Sequence, residues 1–472
     1  MDVCHMNCNE QTARETYRLM ITRRRATELL LAANGSGWSL PRVEVRTGQR
    51  LAEQLTQAVG KECGIEVYSL FVPGIVNAPE NALGTKYVLL ESVKQNDAGP
   101  PGTYWVPSTA ASVKASLPPD ESAAVRSSLE EVERYIAEPV SGPFARPGWI
   151  RELFQWAQEQ LDALGLRVTG RFQQLNASPT FSLIRIETSG PAVWFKATGE
   201  PNIHELPVTV TLARFFPGYV PVVLGVRPSC NGWLSPEAPG STLDNFAEVS
   251  AWARAAKTFA ELQIASIGKT AELLESGCKD LALPRLIDQI DPFLARMGAL
   301  MATQKKLPPA ILTDCQLQLL GDELKHACSA LRGLGFPQTI GHIDFNPGNI
   351  LVSPETCIFL DWAEGCVTTP LITFEYLREH CRRHHLADAK AAESIVSSYL
   401  HPWQALFSLD DLAYGMALTP LVAVFAYAVS GNTWRSSETL RNPALAGYLR
   451  SLTRRMHREA IQIKERSEPC LH

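Results

Sequence analysis

Residues 341–352 read Gly-His-Ile-Asp-Phe-Asn-Pro-Gly-Asn-Ile-Leu-Val. The polar skeleton of this stretch is His342-x-Asp344-x4-Asn349, and the apolar residues around it have strand character. The Pro-Gly pair before Asn349 is typical of a turn, which lets the side chains of Asp344 and Asn349 face the same side of a loop. The stretch therefore predicts a loop, flanked by short strands, that presents a carboxylate and an amide together.

A second carboxylate follows at Asp361, where the apolar strand Ile358–Leu360 ends. Phosphoryl transfer needs an acceptor oxygen aimed at the phosphorus, and cations over the phosphate oxygens. In that chemistry Asp344 takes the proton of the acceptor hydroxyl, while Asn349 and Asp361 offer Mg²⁺ the hard oxygen ligands that it prefers. The alternative is an Asx-rich turn followed by a capping aspartate. The apolar strand after Asn349 and the strand that ends at Asp361 favour the phosphotransfer interpretation.

Upstream, Lys196 lies inside the apolar strand Val193–Ala197. A lysine there is costly unless its ammonium meets anions, such as nucleotide phosphates and a carboxylate. Glu205 begins a predicted helix, His204–Phe216, and is the predicted partner, whereas Glu200 lies in a Gly-Glu-Pro turn. Taken alone, Lys196 is better explained as an edge-strand lysine that reaches solvent. Together with the downstream motif, it favours an ion pair near phosphate.

The segments GHIDFNPGNILV…FLDWAEG and VWFKATGEPNIHELPVTVTLARFFP resemble the aminoglycoside phosphotransferase family, over residues 147–470. The resemblance implies a bilobal, protein-kinase-like α+β fold. It also implies ATP- and Mg²⁺-dependent phosphorylation of a hydroxyl group on a small molecule. Carried over by position, it implies a catalytic base at Asp344, a loop-supporting residue at His342, metal ligands at Asn349 and Asp361, and a phosphate-binding Lys196 with its helix partner Glu205.

The chain departs from the family pattern at two places that concern the nucleotide. No glycine-rich loop precedes Lys196, and either the hydroxyls of Ser178 and Thr180 or local backbone N–H groups are the predicted phosphate contacts instead. The predicted base-binding strand contains Pro236, which has no backbone N–H to offer a nucleobase. The sequence therefore leaves ATP and GTP open as the donor.

Length and composition predict two or three domains, because 472 residues exceed one ordinary core and 45% hydrophobic with 20% charged residues is typical of globular proteins. A proline- and glycine-rich stretch at residues 138–148 places the main boundary near residue 140. The predicted parts are a small α/β domain at residues 1–140, a β-rich lobe at 141–237, and a helix-rich lobe at 238–472 that contains the 341–352 loop.

The predicted front domain resembles a degenerate Nudix-type fold, in which a helix ends in a metal-binding box. Glu62 and Gly64 match that box, but Ala58 and Lys61 stand where the family has glutamates. Hydrolysis of a pyrophosphate in that family needs several carboxylates around Mg²⁺, which one glutamate beside a lysine does not provide. We therefore expect a non-catalytic scaffold or binding module.

Several features restrict the partners and the location of the chain. A net charge of −5 gives no general attraction to nucleic acid or to anionic membranes. The longest apolar stretch, Met416–Val429, is interrupted by Thr419 and Pro420 and predicts a buried helix, not a membrane span. Eleven scattered cysteines favour reduced thiols and a cytoplasmic location. The sequence does not indicate an oligomeric state.

The predicted acceptor is a small molecule, and its identity stays open. In similar enzymes the acceptor pocket is built from the helical lobe, where acidic and aromatic residues here would suit a cationic amine, an amino-alcohol or a sugar. These residues are Glu364, Phe374, Glu375, Tyr376 and Glu379. An equally good interpretation is a helix core of Phe374, Tyr376 and Leu377 with the glutamates on a solvated face.

A second class of function is also compatible with the sequence. A pseudokinase or nucleotide-binding regulator, with a front domain that senses a ligand, would explain Pro236 and the eroded Nudix-like box. The intact set of Lys196, Asp344, Asn349 and Asp361 favours an active enzyme.

Overall fold

In the computed structural model, the described residues are 14–35, 37–46, 50–71, 86–96, 98–137, 143–178, 180–384, 389–436, 438 and 441–467. The chain divides into two compact units. The first contains the residues up to Leu206 together with Val223–Glu237, and the second contains Pro207–Val222 and the residues from Ala238 onward. The predicted boundary near residue 140 lies outside the described residues, so that division stays a prediction.

The first unit begins with a mixed seven-stranded sheet. Its strands are β1 (Arg14–Arg23), β2 (Glu28–Asn34), β3 (Gly37–Ser39), β4 (Arg42–Arg46), β5 (Val67–Phe71), β6 (Lys86–Ser92) and β7 (Thr103–Pro107). They follow the order β3-β2-β1-β6-β5, with β4 also on β1 and β7 on β2. Helix α1 (Leu51–Cys63) buries Ala52, Leu55 and Val59, as its amphipathic pattern predicts. Gly64 ends it with a left-handed φ of 67°, so the predicted C-cap is confirmed.

A second sheet follows in the same unit and carries Lys196. Its strands are β8 (Val168–Ser178), β9 (Phe181–Thr188), β10 (Val193–Thr198), β11 (Gly225–Arg227) and β12 (Gly232–Pro236), in the antiparallel order β11-β12-β10-β9-β8. Along β9, buried and partly exposed residues alternate, which is the period-two pattern of a strand with one face on a core. The connecting helices are α2 (Ala110–Ser116), α3 (Pro119–Ala137) and α4 (Trp149–Asp162).

The two sheets of the first unit share a hydrophobic core. Tyr68 of β5 lies 5.9 Å from Phe154 of α4 and 5.0 Å from Phe172 of β8, measured between ring centroids. The side-chain amide of Gln174 donates to the carbonyl of Ser69 at 2.7 Å and accepts from its N–H at 2.8 Å. A fully buried glutamine thus satisfies a backbone position of the other sheet.

The second unit is built mainly of helices. α5 (Glu205–Phe215) leads into it, and the others are α6 (Val249–Ala265), α7 (Thr270–Glu275), α8 (Leu283–Ala302), α9 (Asp314–Gly333), α10 (Pro370–His384), α11 (Ala389–Trp403), α12 (Leu409–Val429) and α13 (Pro443–Ser467). α12 is long and apolar enough to cross a membrane, with a mean hydropathy of 1.8. However, 72% of its most apolar stretch is buried in the protein, so the predicted buried helix is confirmed.

Two small sheets interrupt the helices and position the candidate site. One has the order β13-β16-β17, from Ser241–Thr242, Ile350–Val352 and Cys357–Phe359. The other has the order β14-β18-β15, from Lys279–Asp280, Gly365–Thr368 and Thr339–His342. β15 and β16 flank the predicted loop, as the sequence indicated. The predicted α+β class, with a β-rich part followed by a helix-rich part, is confirmed.

Candidate active site

Lys196 of the first unit lies in a central strand, because β10 is flanked by β9 and β12. The edge-strand interpretation of this lysine is therefore wrong. Its ammonium forms an ion pair with Glu205 at the start of α5, and the two side chains are 15% and 2% exposed. The rings of Phe181 and Trp233 lie 5.7 and 5.9 Å from the ammonium, within the range of cation–π attraction. A lysine that is largely buried is thus stabilised by one carboxylate and two aromatic faces.

Ser178 and Thr180 lie together in the turn between β8 and β9. Ser178 Oγ accepts a hydrogen bond from the Thr180 N–H at 3.3 Å, and the Thr180 carbonyl accepts from the Gly199 N–H at 2.6 Å. This turn is closed by its own hydroxyl, an arrangement common for serine in turns. The Thr180 N–H is therefore engaged within the protein.

The strand that carries Pro236 has few backbone donors at its end. Pro236 is paired with Val193, and the following residue, Glu237, donates its N–H to the Ala192 carbonyl at 2.9 Å. Arg185 binds both carboxylate oxygens of Glu237, at 2.6 and 2.8 Å. The hydrogen bond from Arg185 lowers the pKa of Glu237 below its usual 4.5. Neither Pro236 nor Glu237 therefore has a backbone N–H available to a nucleobase.

In the second unit, residues 341–352, which we call the Asp344 loop, hold an exposed carboxylate in one orientation. Asn346 Nδ2 donates to Asp344 Oδ1 at 3.0 Å, and Asn349 Nδ2 lies 3.3 Å from Oδ2 and 3.0 Å from the Asp344 carbonyl. Each carboxylate oxygen therefore receives one amide donor. Because Asn349 directs its Nδ2 toward Asp344, its Oδ1 faces elsewhere, and no described residue donates to that oxygen.

His342 is fully buried beneath this loop. Its Nε2 lies 2.9 Å from the Leu360 carbonyl, which can only accept, so Nε2 carries the hydrogen. The Leu360 N–H in turn donates to the Asn349 carbonyl at 2.8 Å. Leu360, which immediately precedes Asp361, is thereby bonded to two residues of the Asp344 loop, His342 and Asn349.

Asp361 is exposed and begins a short 3₁₀ turn, Trp362–Glu364. Its backbone is left-handed, with φ 62° and ψ 57°, a conformation that aspartate tolerates better than most residues. The carbonyl of Glu364, at the end of this turn, accepts a hydrogen bond from the Ile343 N–H at 3.0 Å. Three backbone or ring contacts therefore bond the residues on either side of Asp361 to the Asp344 loop.

Two residues near the loop were not identified from the sequence. Asn346 orients Asp344, and its Oδ1 also accepts from the Gly348 N–H at 2.9 Å; the Asn-Pro-Gly turn was a usable signal for it. Asp244 lies on a separate 3₁₀ turn, with Oδ2 3.9 Å from where a Cβ on Gly348 would stand. Asp244 carries no motif, so only the three-dimensional structure reveals it.

The residues predicted to line an acceptor pocket on α10 belong to its core and to ion pairs. Phe374 is fully buried and stacked on Tyr399 at 3.7 Å between centroids, and Tyr376 donates to the Ala423 carbonyl at 2.9 Å. Glu375 is buried beside Arg378 and Arg382, and burial raises its pKa above 4.5. For Phe374 and Tyr376 the helix-core interpretation is correct, whereas the solvated face expected for the glutamates is wrong for Glu375, which is buried.

The other two acidic candidates are also paired. Glu379 contacts Arg382, Arg383 and Arg455, and Glu364 forms an ion pair with Lys279. Burial alone would raise the pKa of Glu379, but Arg455 and Arg382 hold it below 4.5. The negative charge expected to attract a cationic acceptor is thus largely neutralised by neighbouring arginine and lysine side chains.

No protein-family model and no curated protein sequence matches this chain. Its structure is similar to that of a macrolide 2′-phosphotransferase from Brachybacterium faecium, at 15% identity and a TM-score of 0.44, over 64% of this chain and 97% of that one. It is also similar to a Plasmodium vivax ethanolamine kinase (13% identity, TM-score 0.45, 69% and 93% covered) and to a choline/ethanolamine kinase family protein from Mesorhizobium loti (17%, 0.43, 66% and 99%). Because the TM-scores lie below 0.5, the donor, metal and acceptor must be inferred from this chain's own residues.

Proposed function

We propose that the chain is a phosphotransferase that moves the terminal phosphoryl group of ATP to a hydroxyl group of a small molecule. The observation that carries the proposal is the Asp344 loop. One exposed carboxylate is oriented by two amides, and the same loop is bonded through Leu360 to a second exposed carboxylate, Asp361. Two carboxylates and an amide oxygen in one loop system suit positioning and charge stabilisation, which dominate phosphoryl transfer.

Asp344 is the proposed catalytic base. Each of its oxygens accepts one amide hydrogen bond, and each retains a second lone pair for the proton of an acceptor hydroxyl. The two amides prevent rotation of the carboxylate, so the acceptor oxygen is held in one direction. His342 and Asn346 position the loop and take no part in proton transfer.

The residues present also fit a magnesium ion. Asn349 Oδ1 and the Asp361 carboxylate are hard oxygen donors, and the Asn349 amide nitrogen is already directed to Asp344. Mg²⁺ bound there would neutralise charge on the phosphate oxygens during transfer. Asn349 and Asp361 are accordingly the proposed metal ligands.

Lys196 is the proposed phosphate-binding residue of the first unit. Its ammonium is largely buried, and Glu205 holds it in place on the same face of the sheet as Trp233. The side-chain hydroxyls of Ser178 and Thr180 are proposed as further phosphate contacts. With Pro236 and Glu237 offering no free N–H, GTP is the alternative donor that must be compared with ATP.

The remaining proposals concern the acceptor and the organisation of the chain. The acceptor is a small amine, amino-alcohol or sugar with a free hydroxyl. The first 140 residues are proposed as a non-catalytic, Nudix-like scaffold or binding module ahead of a β-rich lobe (141–237) and a helical lobe (238–472). A cytoplasmic location suits the use of ATP and the eight described cysteines, none of which forms a disulfide.

The decisive experiment measures ADP and GDP formation with Mg²⁺ against a panel of amino-alcohols, sugars and aminoglycosides, for the wild type and Asp344→Asn. We expect Asp344→Asn to lower kcat by about 10²- to 10⁴-fold with little change in melting temperature. Asp280→Asn, in β14, is the matched control and should keep full activity. A thermal shift with Mg-ATP but no turnover would favour a nucleotide-binding regulator, and neither shift nor turnover would overturn the proposal.

A further inference from the structure

A cavity of about 340 Å³ lies among α10, α12 and α13 of the second unit. Its charged lining residues are Arg378 and Arg382 on α10 and Glu459 on α13. No residue of the Asp344 loop or of the turn at Asp361 lines it. The volume is at the lower end of the range for ligand pockets, roughly 300–1,000 Å³, and suits a small molecule.

Arg378 presents more hydrogen-bond donors than its neighbours use. Its Nε lies 2.5 Å from Glu375 Oε2, while its terminal nitrogens donate to no residue in the described part of the chain. The side chain is 20% exposed, so the guanidinium is mostly withdrawn from water. Because a guanidinium is a planar fork of donors, it binds carboxylate groups with two parallel hydrogen bonds. Arg378 therefore offers the cavity an anion-binding group.

Arg382 lines the same cavity but contacts more carboxylates than Arg378 does. Its Nη2 lies 3.0 Å from Glu375 Oε1 and also contacts Glu379. Two carboxylates thus engage it. Arg378 contacts one carboxylate where Arg382 contacts two, so of the two arginines Arg378 has the less neutralised charge.

Helices α12 and α13 supply the cavity with hydrogen-bond acceptors, a carboxylate and a backbone carbonyl. Glu459 forms no ion pair or hydrogen bond with a described residue, and Arg378 is not within ion-pair distance of it. Pro420 has no N–H, so the carbonyl of Met416, four residues earlier, lacks the usual donor of an α-helix. Met416, Pro420 and Glu459 all line the cavity. It therefore offers acceptors for a cationic group in the same cavity as the guanidinium of Arg378.

The rest of the lining consists of Gln462 and of the apolar side chains of Ala413, Ala417 and Ile463. We propose that this cavity binds a free α-amino acid with an apolar side chain. The carboxylate is held by Arg378, the ammonium by Glu459 and the Met416 carbonyl, and the side chain by the apolar wall. An inorganic anion satisfies Arg378 alone and is repelled by Glu459.

Isothermal titration of the full-length protein without nucleotide tests the proposal, with L-leucine as the probe. The comparison compounds are L-leucinamide, which lacks the carboxylate, 4-methylpentanoate, which lacks the ammonium, and inorganic phosphate. We expect leucine to bind at least tenfold more tightly than each of them. Equal binding of leucinamide or phosphate, or no binding of leucine, would overturn the assignment.

Three variants locate the binding. Arg378→Gln should weaken leucine binding at least tenfold, and Ala417→Leu, which fills the cavity without changing charge, should abolish it. Arg383→Gln is the matched control, since Arg383 lies on α10 but does not line the cavity.

A neighbouring cavity of about 430 Å³ shares both arginines but not Ala417. Unchanged binding in a folded Ala417→Leu protein would therefore disprove the site. Asp344→Asn should bind leucine normally, so the outcome is independent of the proposed enzyme activity.

Discussion

His342 Nε2 lies 2.9 Å from the carbonyl oxygen of Leu360, so a fully buried imidazole joins the Asp344 loop to the turn at Asp361. The N–H of the same leucine donates to the Asn349 carbonyl. Both backbone groups of one residue thus connect the two parts of the candidate site. The backbone contacts that place Asp344 and Asn349 relative to Asp361 therefore depend on His342 and on both backbone groups of Leu360.

Replacing His342 tests this connection. His342→Leu should lower the free energy of unfolding by about 1–3 kcal/mol, because the half-buried Leu360 carbonyl loses its donor. His342→Gln should recover much of that loss, since its amide also donates. Urea denaturation measures both, and kcat should follow the same order. A leucine variant as stable as the wild type would show that the contact contributes nothing.

The Lys196–Glu205 pair should behave as a buried ion pair. Lys196→Met leaves the carboxylate of Glu205, which is only 2% exposed, without its cation and should destabilise the protein by about 3–5 kcal/mol. The double variant with Glu205→Gln should be more stable than Lys196→Met alone. The exposed pair Lys269–Glu272 is the control, where Lys269→Met should change stability by less than about 1 kcal/mol. Additive effects of the two substitutions, measured by denaturant unfolding, would contradict the coupling.

The left-handed backbone of Asp361 and its proposed role as a metal ligand can be tested separately. Because its φ is 62°, Asp361→Asn and Asp361→Gly should fold normally, whereas Asp361→Ala should be less stable than Asp361→Gly by about 1 kcal/mol. All three should lose most of the thermal stabilisation by Mg-ATP. If Asp361→Asn keeps the full Mg-ATP shift, the residue is not a metal ligand.

The Arg185–Glu237 pair predicts a pH dependence of stability. The pKa of Glu237 is lower in the folded state than its ordinary 4.5, so its contribution is present above about pH 4.5 and is lost as pH falls through the folded value. Glu237 is 37% exposed, which limits that contribution to less than about 1 kcal/mol. The stability difference between wild type and Glu237→Gln should therefore be constant near neutrality and shrink below pH 4.5. A difference that stays constant down to low pH would contradict a stabilising pair between Arg185 and Glu237.

The parts of the site that the sequence predicted are those in which neighbours in sequence are neighbours in space. Asp344 and Asn349 share one turn, and a strand and the following helix bring Lys196 to Glu205. The ion pair of Glu379 with Arg455 joins residues on different helices, and no local pattern indicates it. Glu375 contacts Arg378 and Arg382, which follow it by three and seven residues on the same helix. This spacing places the side chains on one helix face, so the sequence does contain a local signal for these contacts.

The fold shows the same distinction. Periodicity and caps predicted α1 and the individual strands, because those signals are local. The hydrogen bonds between Ser69 and Gln174 join positions 105 residues apart, and they place both sheets in one unit. A proline- and glycine-rich stretch marks a change of local structure, and it carries no information about which surfaces pack together afterwards.

The interleaved path of the chain has a consequence for biosynthesis. Strand β12 completes the Lys196 sheet, yet it leaves the ribosome only after Pro207–Val222, which belongs to the other unit. Until then β10 is an open edge with unpaired backbone groups, a template for association with other nascent chains. The sheet of the first unit therefore cannot be completed until the chain has been synthesised beyond Pro236, after a segment of the other unit has already left the ribosome.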